Sequence, residues 1–237
     1  MNIIIIGATS GMGKALFEKY ASDGNRLGIV GRRTHLLNEL SRRYSSSTYA
    51  AKADITQHED IKHAISSLQE KLGSIDLAIV CAGMGDLNPS LSYDVERPTL
   101  ETNVIGWTLV VDTLYHIFEQ QGHGHLVAIT SAGGLRGEPT APAYSASKAY
   151  QINYMEALRK KAYKAGGNIS VTDIRPGLVQ TAMAKGDSLF WVMPVKKTAS
   201  QIYTAIDKKK SKVYVTKRWH FLAIIAKNLP FTLYKRV

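Results

Sequence analysis

The feature that most constrains the fold of this chain is an alternation of two apolar patterns. Short runs rich in β-branched residues alternate with longer segments whose apolar residues recur at helical spacing, as at Ile61, Ala64, Ile65 and Leu68. Strands and helices in this order form parallel sheets with right-handed crossovers. The sequence therefore predicts an α/β fold, a doubly wound, Rossmann-like parallel sheet of about seven strands with helices on both faces. The predicted strands cover residues 2–6, 26–30, 48–51, 76–80, 125–130, 169–175 and 212–215.

No internal repeat, low-complexity linker or shift in composition divides the chain. This predicts a single domain over residues 1–237, with a variable substrate or lid segment over residues 183–237. Cys81 is the only cysteine, so no disulfide can form within the chain and a reducing compartment is expected. The apolar start ends at Ile6, and no apolar run reaches the ~20 residues of a membrane span. We therefore expect a cytoplasmic protein without a secretory signal or membrane span.

The first predicted strand leads into a glycine-rich segment, and a helical pattern follows directly. Gly7, Gly11 and Gly13 have G-x-x-x-G-x-G spacing, which lets a backbone turn tightly and approach a pyrophosphate at the positive end of a helix. The alternative is a tight turn that binds no ligand. The predicted phosphate-binding residues are Gly7, Thr9, Ser10, Gly11, Met12 and Gly13.

The end of the second predicted strand carries no carboxylate. In dinucleotide-binding folds an acidic side chain at this point accepts a hydrogen bond from the ribose 2′-hydroxyl and favours NAD. This chain has Gly31 followed by Arg32 and Arg33, and a guanidinium can bind a phosphate through two parallel hydrogen bonds. The sequence therefore predicts NADP(H) as cofactor, the alternative being that both arginines only begin a solvated helix.

Tyr144 and Lys148 lie four residues apart in a long helical pattern, so both side chains project from one face. Alone, such a pair is usually part of a solvated helix surface. A free tyrosine titrates near pH ~10, and a nearby ammonium stabilises the phenolate. We expect Lys148 to lower the pKa of Tyr144 by about three units, or ~4 kcal/mol. Ser131 follows the fifth predicted strand, at the sheet edge where ligands bind, and can hydrogen-bond a carbonyl oxygen.

The motifs occur in the order found in one known family. Over about residues 1–183 the sequence resembles the classical short-chain dehydrogenase/reductase family. It departs from the family pattern at Cys81, where an asparagine is usual, and at Ile6, where a threonine is usual. A thiol is a weaker hydrogen-bonding group than an amide, so we expect a looser ribose side without an altered catalytic role. The resemblance rests on Gly7, Gly11, Gly13, Asp54, Ala82, Gly83, Asn103, Ser131, Tyr144, Lys148, Pro176, Gly177 and Thr181.

The resemblance implies a catalytic group of Ser131, Tyr144, Lys148 and Asn103. Tyr144 is expected to act as general acid or base, and Lys148 to bind the nicotinamide ribose and lower the tyrosine pKa. Ser131 is expected to hold the substrate oxygen, and Asn103 a water of the proton relay. The implied cofactor contacts beyond the glycine turn are Arg32, Arg33, Asp54, Ile55, Ala82, Gly83, Tyr144, Lys148, Pro176, Gly177, Val179 and Thr181.

These residues predict reversible hydride transfer between NADP(H) and a carbonyl or secondary alcohol substrate. The alternative is a regulatory protein that senses NADP without turnover, against which the intact catalytic group argues. The formal charge of +11 suggests an acidic partner, yet the chain has no recognised nucleic-acid-binding motif, so no nucleic-acid partner is expected. His123 and His125 lack a third ligand within reach in the sequence, so no metal site is predicted. The resemblance further implies a homodimer or homotetramer.

The carboxyl-terminal part of the chain is expected to define the substrate. Residues 133–138, Leu178 and residues 183–194 are the expected lining, and their apolar character indicates a substrate with hydrophobic surface. Residues 208–212 are basic, and residues 219–226 are mostly apolar. We expect the apolar run to pack on the protein as a lid or subunit contact and not to anchor a membrane, because it is too short to span.

Overall fold

The computed structural model describes residues 1–183 and 191–235, and its strands form one parallel sheet. The strands are β1 (Asn2–Ile6), β2 (Arg26–Gly31), β3 (Thr48–Lys52), β4 (Leu77–Val80), β5 (Gly124–Ile129), β6 (Ile169–Pro176) and β7 (Lys212–Val215). Their order across the sheet is β3-β2-β1-β4-β5-β6-β7, with every neighbouring pair parallel. The order reverses between β1 and β4, and open α/β sheets bind ligands at such a switch point. The predicted fold class is confirmed.

Helices connect the strands and cover both faces of the sheet. Within the described residues the α-helices are α1 (Gly11–Ser22), α2 (Thr34–Arg43), α3 (His58–Leu72), α4 (Tyr93–Leu100), α5 (Trp107–Gln121), α6 (Pro142–Lys164), α7 (Val195–Asp207), α8 (Lys217–Asn228) and α9 (Phe231–Tyr234). None of the helices in residues 1–183 and 191–235 is both long and apolar enough to cross a membrane.

The continuous apolar run of β1 contributes side chains to the buried clusters on both faces of the sheet. Successive strand side chains point to opposite faces, so Ile4 and Ile6 join one buried cluster while Ile3 and Ile5 join the other. The first cluster includes residues of α3, α5 and α6, and the second includes residues of α1, α2 and α7. A strand buried on both faces lacks the polar alternation of a half-exposed strand.

Two local features differ from the sequence-based expectation. Several strand ends move by one residue; β4, for example, begins at Leu77 and β2 continues to Gly31. A π-helical turn, Glu101–Gly106, joins α4 to α5 and was not predicted. Gly106 lies so close to the carbonyl of Ile55 that a Cβ atom would overlap its oxygen. The π-turn therefore fits against the loop after β3 only with glycine at this position.

Candidate active site

The carboxyl ends of the central strands bring the predicted site residues together. Gly7 follows β1, Ser131 follows β5, and Gly177 follows β6. The loop after β4 contacts the end of β1 directly, because the backbone N–H groups of Cys81 and Ala82 donate to the carbonyl of Ile6. Tyr144 and Lys148 come from the first two turns of α6, which begins with a proline at a position where its missing N–H is tolerated.

Tyr144 and Ser131 share a side-chain hydrogen bond. The Ser131 hydroxyl oxygen accepts the Gly133 backbone N–H at 3.0 Å, which leaves its own hydrogen available as a donor. Gly85 lies against the tyrosine ring, where a Cβ atom would overlap it. Burial raises the pKa of Tyr144 above its ordinary value, and the Ser131 hydrogen bond only partly opposes that shift.

Lys148 is buried at the base of the site. Its Nζ donates to the Ile129 carbonyl at 3.2 Å and to Oε1 of Gln151 at 2.8 Å, and it lies 5.9 Å from the centroid of the Tyr144 ring. Burial lowers the pKa of Lys148 to about 8, against the opposing effect of the Asp173 carboxylate. The expectation that Lys148 lowers the pKa of Tyr144 is wrong for this structure. The ammonium is directed to Ile129 and Gln151, and burial dominates at the phenol.

Gln151 belongs to the site although it was not among the residues predicted from the sequence. Its fully buried side chain accepts from Lys148 and donates through Nε2 to the backbone carbonyl of Asn103 at 2.8 Å. One amide thus joins the lysine to the residue expected to hold a relay water. A signal was present, because Gln151 follows Lys148 by three residues and shares its helix face, where an apolar residue would pack as easily.

Asn103 lies in the π-turn and fixes the loop after β4. Its Oδ1 accepts from the backbone N–H of Met84 at 2.9 Å, and its Nδ2 donates to the Met84 carbonyl at 2.6 Å and to Ser147 at 3.0 Å. The Asn103 side chain therefore fixes the backbone at Met84, while the backbone carbonyl of Asn103 accepts a hydrogen bond from Gln151. π-turns are often found at functional sites because they redirect backbone groups.

A buried ion pair supports the site from β6. Arg175 donates from Nε and Nη2 to one oxygen of Asp173 at 2.6 Å, and Thr130 donates to the other oxygen at 2.6 Å. Asp173 is fully buried, and its charge acts on Lys148. Its partners supply the hydrogen bonds that a buried carboxylate needs.

The glycine turn has the close backbone approaches expected of a phosphate cradle. Gly7 has φ of +90°, and a Cβ there would lie 2.7 Å from the Ala82 nitrogen. A Cβ at Gly13 would overlap the Gly7 carbonyl oxygen, and one at Gly11 would lie 3.4 Å from the methyl of Thr181. The turn, the start of α1 and the loop after β6 therefore face one another. No acidic residue occupies the first turn of α1, so its positive end is open to an anion.

The two arginines after β2 adopt different positions. Arg33 donates to the Thr9 hydroxyl at 2.8 and 3.2 Å and to the Ser10 hydroxyl at 2.7 Å, which fixes its guanidinium over the glycine turn. Arg32 is exposed and lies 3.4 Å from the carboxylate of Asp54. A Cβ at Gly31 would lie 2.9 Å from the Thr9 methyl, so a larger residue there would disturb the seat of Arg33.

Asp54 lies after β3, where its carboxylate pairs with Arg32. Partial burial alone would raise the pKa of its carboxyl, but hydrogen bonds from the Thr56 backbone N–H and hydroxyl, together with Arg32, lower it. Asp54 is therefore a fixed, charged acceptor. Ile55, next in the chain, is buried beneath it.

The remaining predicted cofactor contacts line the cleft from both sides. Cys81 is a free thiol in this wall, and burial raises its pKa to about 12, so it stays protonated. Trp219 of α8 packs directly on Gly177, where a Cβ atom would overlap its ring. Pro176 and Val179 are buried, whereas Met12, Ala82, Gly83, Gly177 and Thr181 keep partial exposure.

The segments expected to define the substrate are only partly described. Residues 133–138 begin in a short 3-10 helix, Ala132–Leu135, beside Ser131. Of residues 183–194, those from 184 to 190 lie outside the described residues. Met193 returns to the site, because its N–H donates to the Leu178 carbonyl at 3.0 Å.

The apolar run in the tail packs on the protein only in part. Trp219 and Ala223 face the fold, but Phe221, Ile224 and Ile225 of α8 are exposed. These three residues do not pack as a lid on their own chain, because their helix turns them away from the sheet; the alternative expectation of a subunit contact stays a prediction. The two histidines also separate: His125 is buried against the Thr172 hydroxyl, and His123 is exposed near Asp76. Across residues 1–183 and 191–235, no three His, Cys, Asp or Glu side chains cluster as metal ligands.

A doubly wound sheet whose switch point carries a glycine cradle beside a serine, a tyrosine and a buried lysine defines the class of dinucleotide-binding oxidoreductases. The family model described as short chain dehydrogenase matches residues 1–189. An uncharacterized oxidoreductase of Mycobacterium tuberculosis is 33% identical over 223 residues, which cover 90% of this chain and 87% of that protein. The chain belongs to the short-chain dehydrogenase family and is a hydride-transferring oxidoreductase that uses a nicotinamide dinucleotide.

Solved structures of the same architecture extend over nearly the whole chain. A short chain dehydrogenase from Burkholderia cenocepacia, in complex with NADP, has a TM-score of 0.86 at 20% identity, covering 99% of this chain and 96% of that one. A short chain dehydrogenase/reductase from Burkholderia phymatum, in complex with NAD, has a TM-score of 0.84 at 19% identity, covering 94% and 92%. At these identities the likeness concerns the fold, and the two structures hold different cofactors.

Proposed function

We propose that this oxidoreductase reduces a carbonyl substrate with NADPH, Tyr144 acting as the proton donor. The observation that carries the proposal is the hydrogen bond between Tyr144 and Ser131 in a site where burial raises the pKa of the phenol. A protonated phenol at neutral pH is the form that a reduction needs. The same group in reverse accepts a proton from a secondary alcohol at higher pH.

The proposed roles follow from the contacts of each side chain. The cofactor, when bound, supplies the hydride that reduces the carbonyl carbon to an alcohol and is itself oxidised. Tyr144 gives its hydroxyl proton to the carbonyl oxygen, and Ser131 positions that oxygen. Lys148, whose pKa is about 8, carries its proton at pH 7 and is proposed to bind the nicotinamide ribose. Gln151 holds Lys148 directly, and the backbone carbonyl of Asn103 holds Gln151, so both act as positioning residues.

The shape of the turn supports a dinucleotide in the cleft. Gly7 and Gly13 bring backbone to positions that a Cβ atom would fill, and the open start of α1 suits a pyrophosphate. We assign the adenine side to Asp54 and Ile55, and the nicotinamide side to Ala82, Gly83, Pro176, Gly177, Val179 and Thr181. The proposed seat for the 2′-phosphate consists of Arg33 with the Thr9 and Ser10 hydroxyls that it contacts, together with Arg32, which follows the same strand and pairs with Asp54.

We propose one domain over residues 1–237, in which residues 183–237 shape the substrate site. The protein is proposed to act in the cytoplasm as a homodimer or homotetramer on a small-molecule carbonyl or alcohol, without a nucleic-acid partner. A sensor of NADP without turnover is not favoured, because the buried network around Lys148 is what proton transfer requires.

The test is a panel of aldehydes, ketones and 3-oxo esters with NADPH oxidation as the readout. Parent protein should oxidise NADPH with at least one member, and Tyr144→Phe should not. Tyr150→Phe is the matched control, because Tyr150 lies on α6 but bonds Thr108 outside the site. Equal NADPH oxidation by parent and Tyr144→Phe would overturn the role of Tyr144. Tight NADPH binding without turnover across the panel would favour the sensor.

A further inference from the structure

The last part of the chain carries charge of one sign only. After Asp207 the sequence has no Asp or Glu, while it has Lys208, Lys209, Lys210, Lys212, Lys217, Arg218, Lys227, Lys235 and Arg236. These residues account for most of the formal charge of +11. Neither the proposed proton transfer nor the cofactor seat uses any of them. A field of this kind attracts an anionic partner.

Exposed apolar side chains lie within this basic segment. Phe221, Ile224 and Ile225 follow the i, i+3, i+4 spacing on α8 and are 64%, 50% and 43% exposed. Phe231 and Leu233 of α9 are 70% and 50% exposed. We call these five residues the tail surface. A surface that combines large apolar side chains with flanking lysines and arginines is typical of helices that lie in a membrane interface.

The tail surface is held at a fixed place beside the active site. Trp219, two residues before Phe221, packs on Gly177. Tyr234 donates its hydroxyl to the Gly137 carbonyl at 2.7 Å, and the guanidinium of Arg136 lies 5.0 Å from the Tyr234 ring and also bonds the Leu229 carbonyl. Both ends of the tail therefore contact loops that adjoin Ser131 and the nicotinamide side of the cleft.

We propose that the tail surface docks the protein onto an anionic lipid bilayer, with α8 and α9 lying in the interface. The exposed aromatic and aliphatic groups would enter the boundary of the acyl chains, and the basic residues would meet lipid phosphates. A second copy of this chain is the less suitable occupant, because a symmetric contact would oppose one basic tail to another. With 12 residues α8 lies on the bilayer and does not cross it. Docking would hold the mouth of the site beside the lipid.

The test is co-sedimentation of the full chain with vesicles of phosphatidylcholine plus phosphatidylglycerol, compared with phosphatidylcholine alone. We expect binding to the anionic vesicles only, weakening as salt is raised. Two double variants should each lower the partition coefficient at least about tenfold. One combines Phe221→Ser with Phe231→Ser, and the other combines Lys227→Glu with Lys235→Glu. The controls are Tyr163→Ser and Lys160→Glu, exposed residues at the end of α6, which should bind like the parent.

Three results would overturn the proposal. Parent protein could stay in the supernatant with anionic vesicles, or it could bind neutral and anionic vesicles equally. The serine variant could bind vesicles like the parent while its sedimentation coefficient falls, which would assign the tail surface to a subunit contact. Thermal unfolding and NADPH binding of each variant establish that the fold is intact. Vesicle binding needs no turnover, so this test and that of the proposed reductase fail independently.

Discussion

The two charged regions of the site are built in opposite ways. Around Lys148, the polar side chains of Gln151, Asn103 and Asp173 are buried, and each is hydrogen-bonded within the fold. At the end of β2, Arg32 and Arg33 are exposed, and the Asp54 pair of Arg32 is open to solvent. Burial shifts pKa values and so suits proton transfer. Exposed positive charge attracts anions, and salt weakens that attraction. Such charge suits the selection of a cofactor that carries an additional phosphate.

Tyr144→Phe should have the largest effect, because it removes the proton donor from the buried region. We expect kcat to fall by about 10² to 10⁴-fold, the usual contribution of general acid catalysis, with NADPH affinity unchanged. Steady-state kinetics on a confirmed substrate and calorimetric titration of NADPH check the two parts. A variant that turns over near the parent rate would place the acid elsewhere.

Asp173→Ala tests the buried region through stability. The change leaves Arg175 buried without its carboxylate, which should lower the free energy of unfolding by about 3 to 5 kcal/mol. The matched control is Arg97→Ala, which breaks the exposed pair with Glu101 and should cost about 1 kcal/mol or less. Urea unfolding measures both. Similar losses of unfolding free energy in the two variants would show that burial does not make the Asp173–Arg175 pair more important for stability than the exposed Arg97–Glu101 pair.

Arg33→Ala tests the exposed region. Loss of a charge-assisted contact of ~1.5 to 3 kcal/mol should weaken NADPH binding at least about tenfold and leave NADH binding unchanged. The matched control is Arg42→Ala, which removes the same charge from the exposed side of α2. Fluorescence titration at low and high salt is the measurement. If both variants lose NADPH affinity equally, general charge and not this seat selects the cofactor.

Gln151 variants should give the smallest effect and the most specific one. Lys148 carries its proton below its pKa of about 8, so the rate of reduction should fall as pH rises through that value. A carboxylate in Gln151→Glu favours the ammonium and should move this alkaline limb upward. Gln151→Leu removes an acceptor and should move it downward, each by about one unit. Shifts in one direction for both variants would indicate a packing role alone.

The fold, and the gathering of most candidate site residues at one edge of the sheet, could be predicted because their signals are local. Strand runs, helical spacing and the glycine turn are each read within a few residues, and Tyr144 and Lys148 share one helix face. Thr181 was named as a cofactor contact only from the resemblance, and its approach to Gly11 was not predicted.

The parts that could not be predicted depend on long-range packing. Gln151 meets Asn103 across 48 positions, so its role is invisible until α6 lies on the π-turn. The sign of the Tyr144 pKa shift depends on burial and on where the lysine points, and spacing alone indicated the opposite direction. Phe221 and Ile224 belong to an apolar run, yet only the docking of Trp219 determines which of its residues remain exposed.

The division of labour is tested most directly by kcat/KM with NADPH and with NADH for parent, Arg33→Ala and Tyr144→Phe on one substrate. We predict that the parent prefers NADPH at least about tenfold. Arg33→Ala should lose that preference while keeping its NADH rate, and Tyr144→Phe should lose rate with both cofactors and keep the ratio. Loss of the NADH rate in Arg33→Ala, or a changed ratio in Tyr144→Phe, would contradict the separation of proton transfer from cofactor selection.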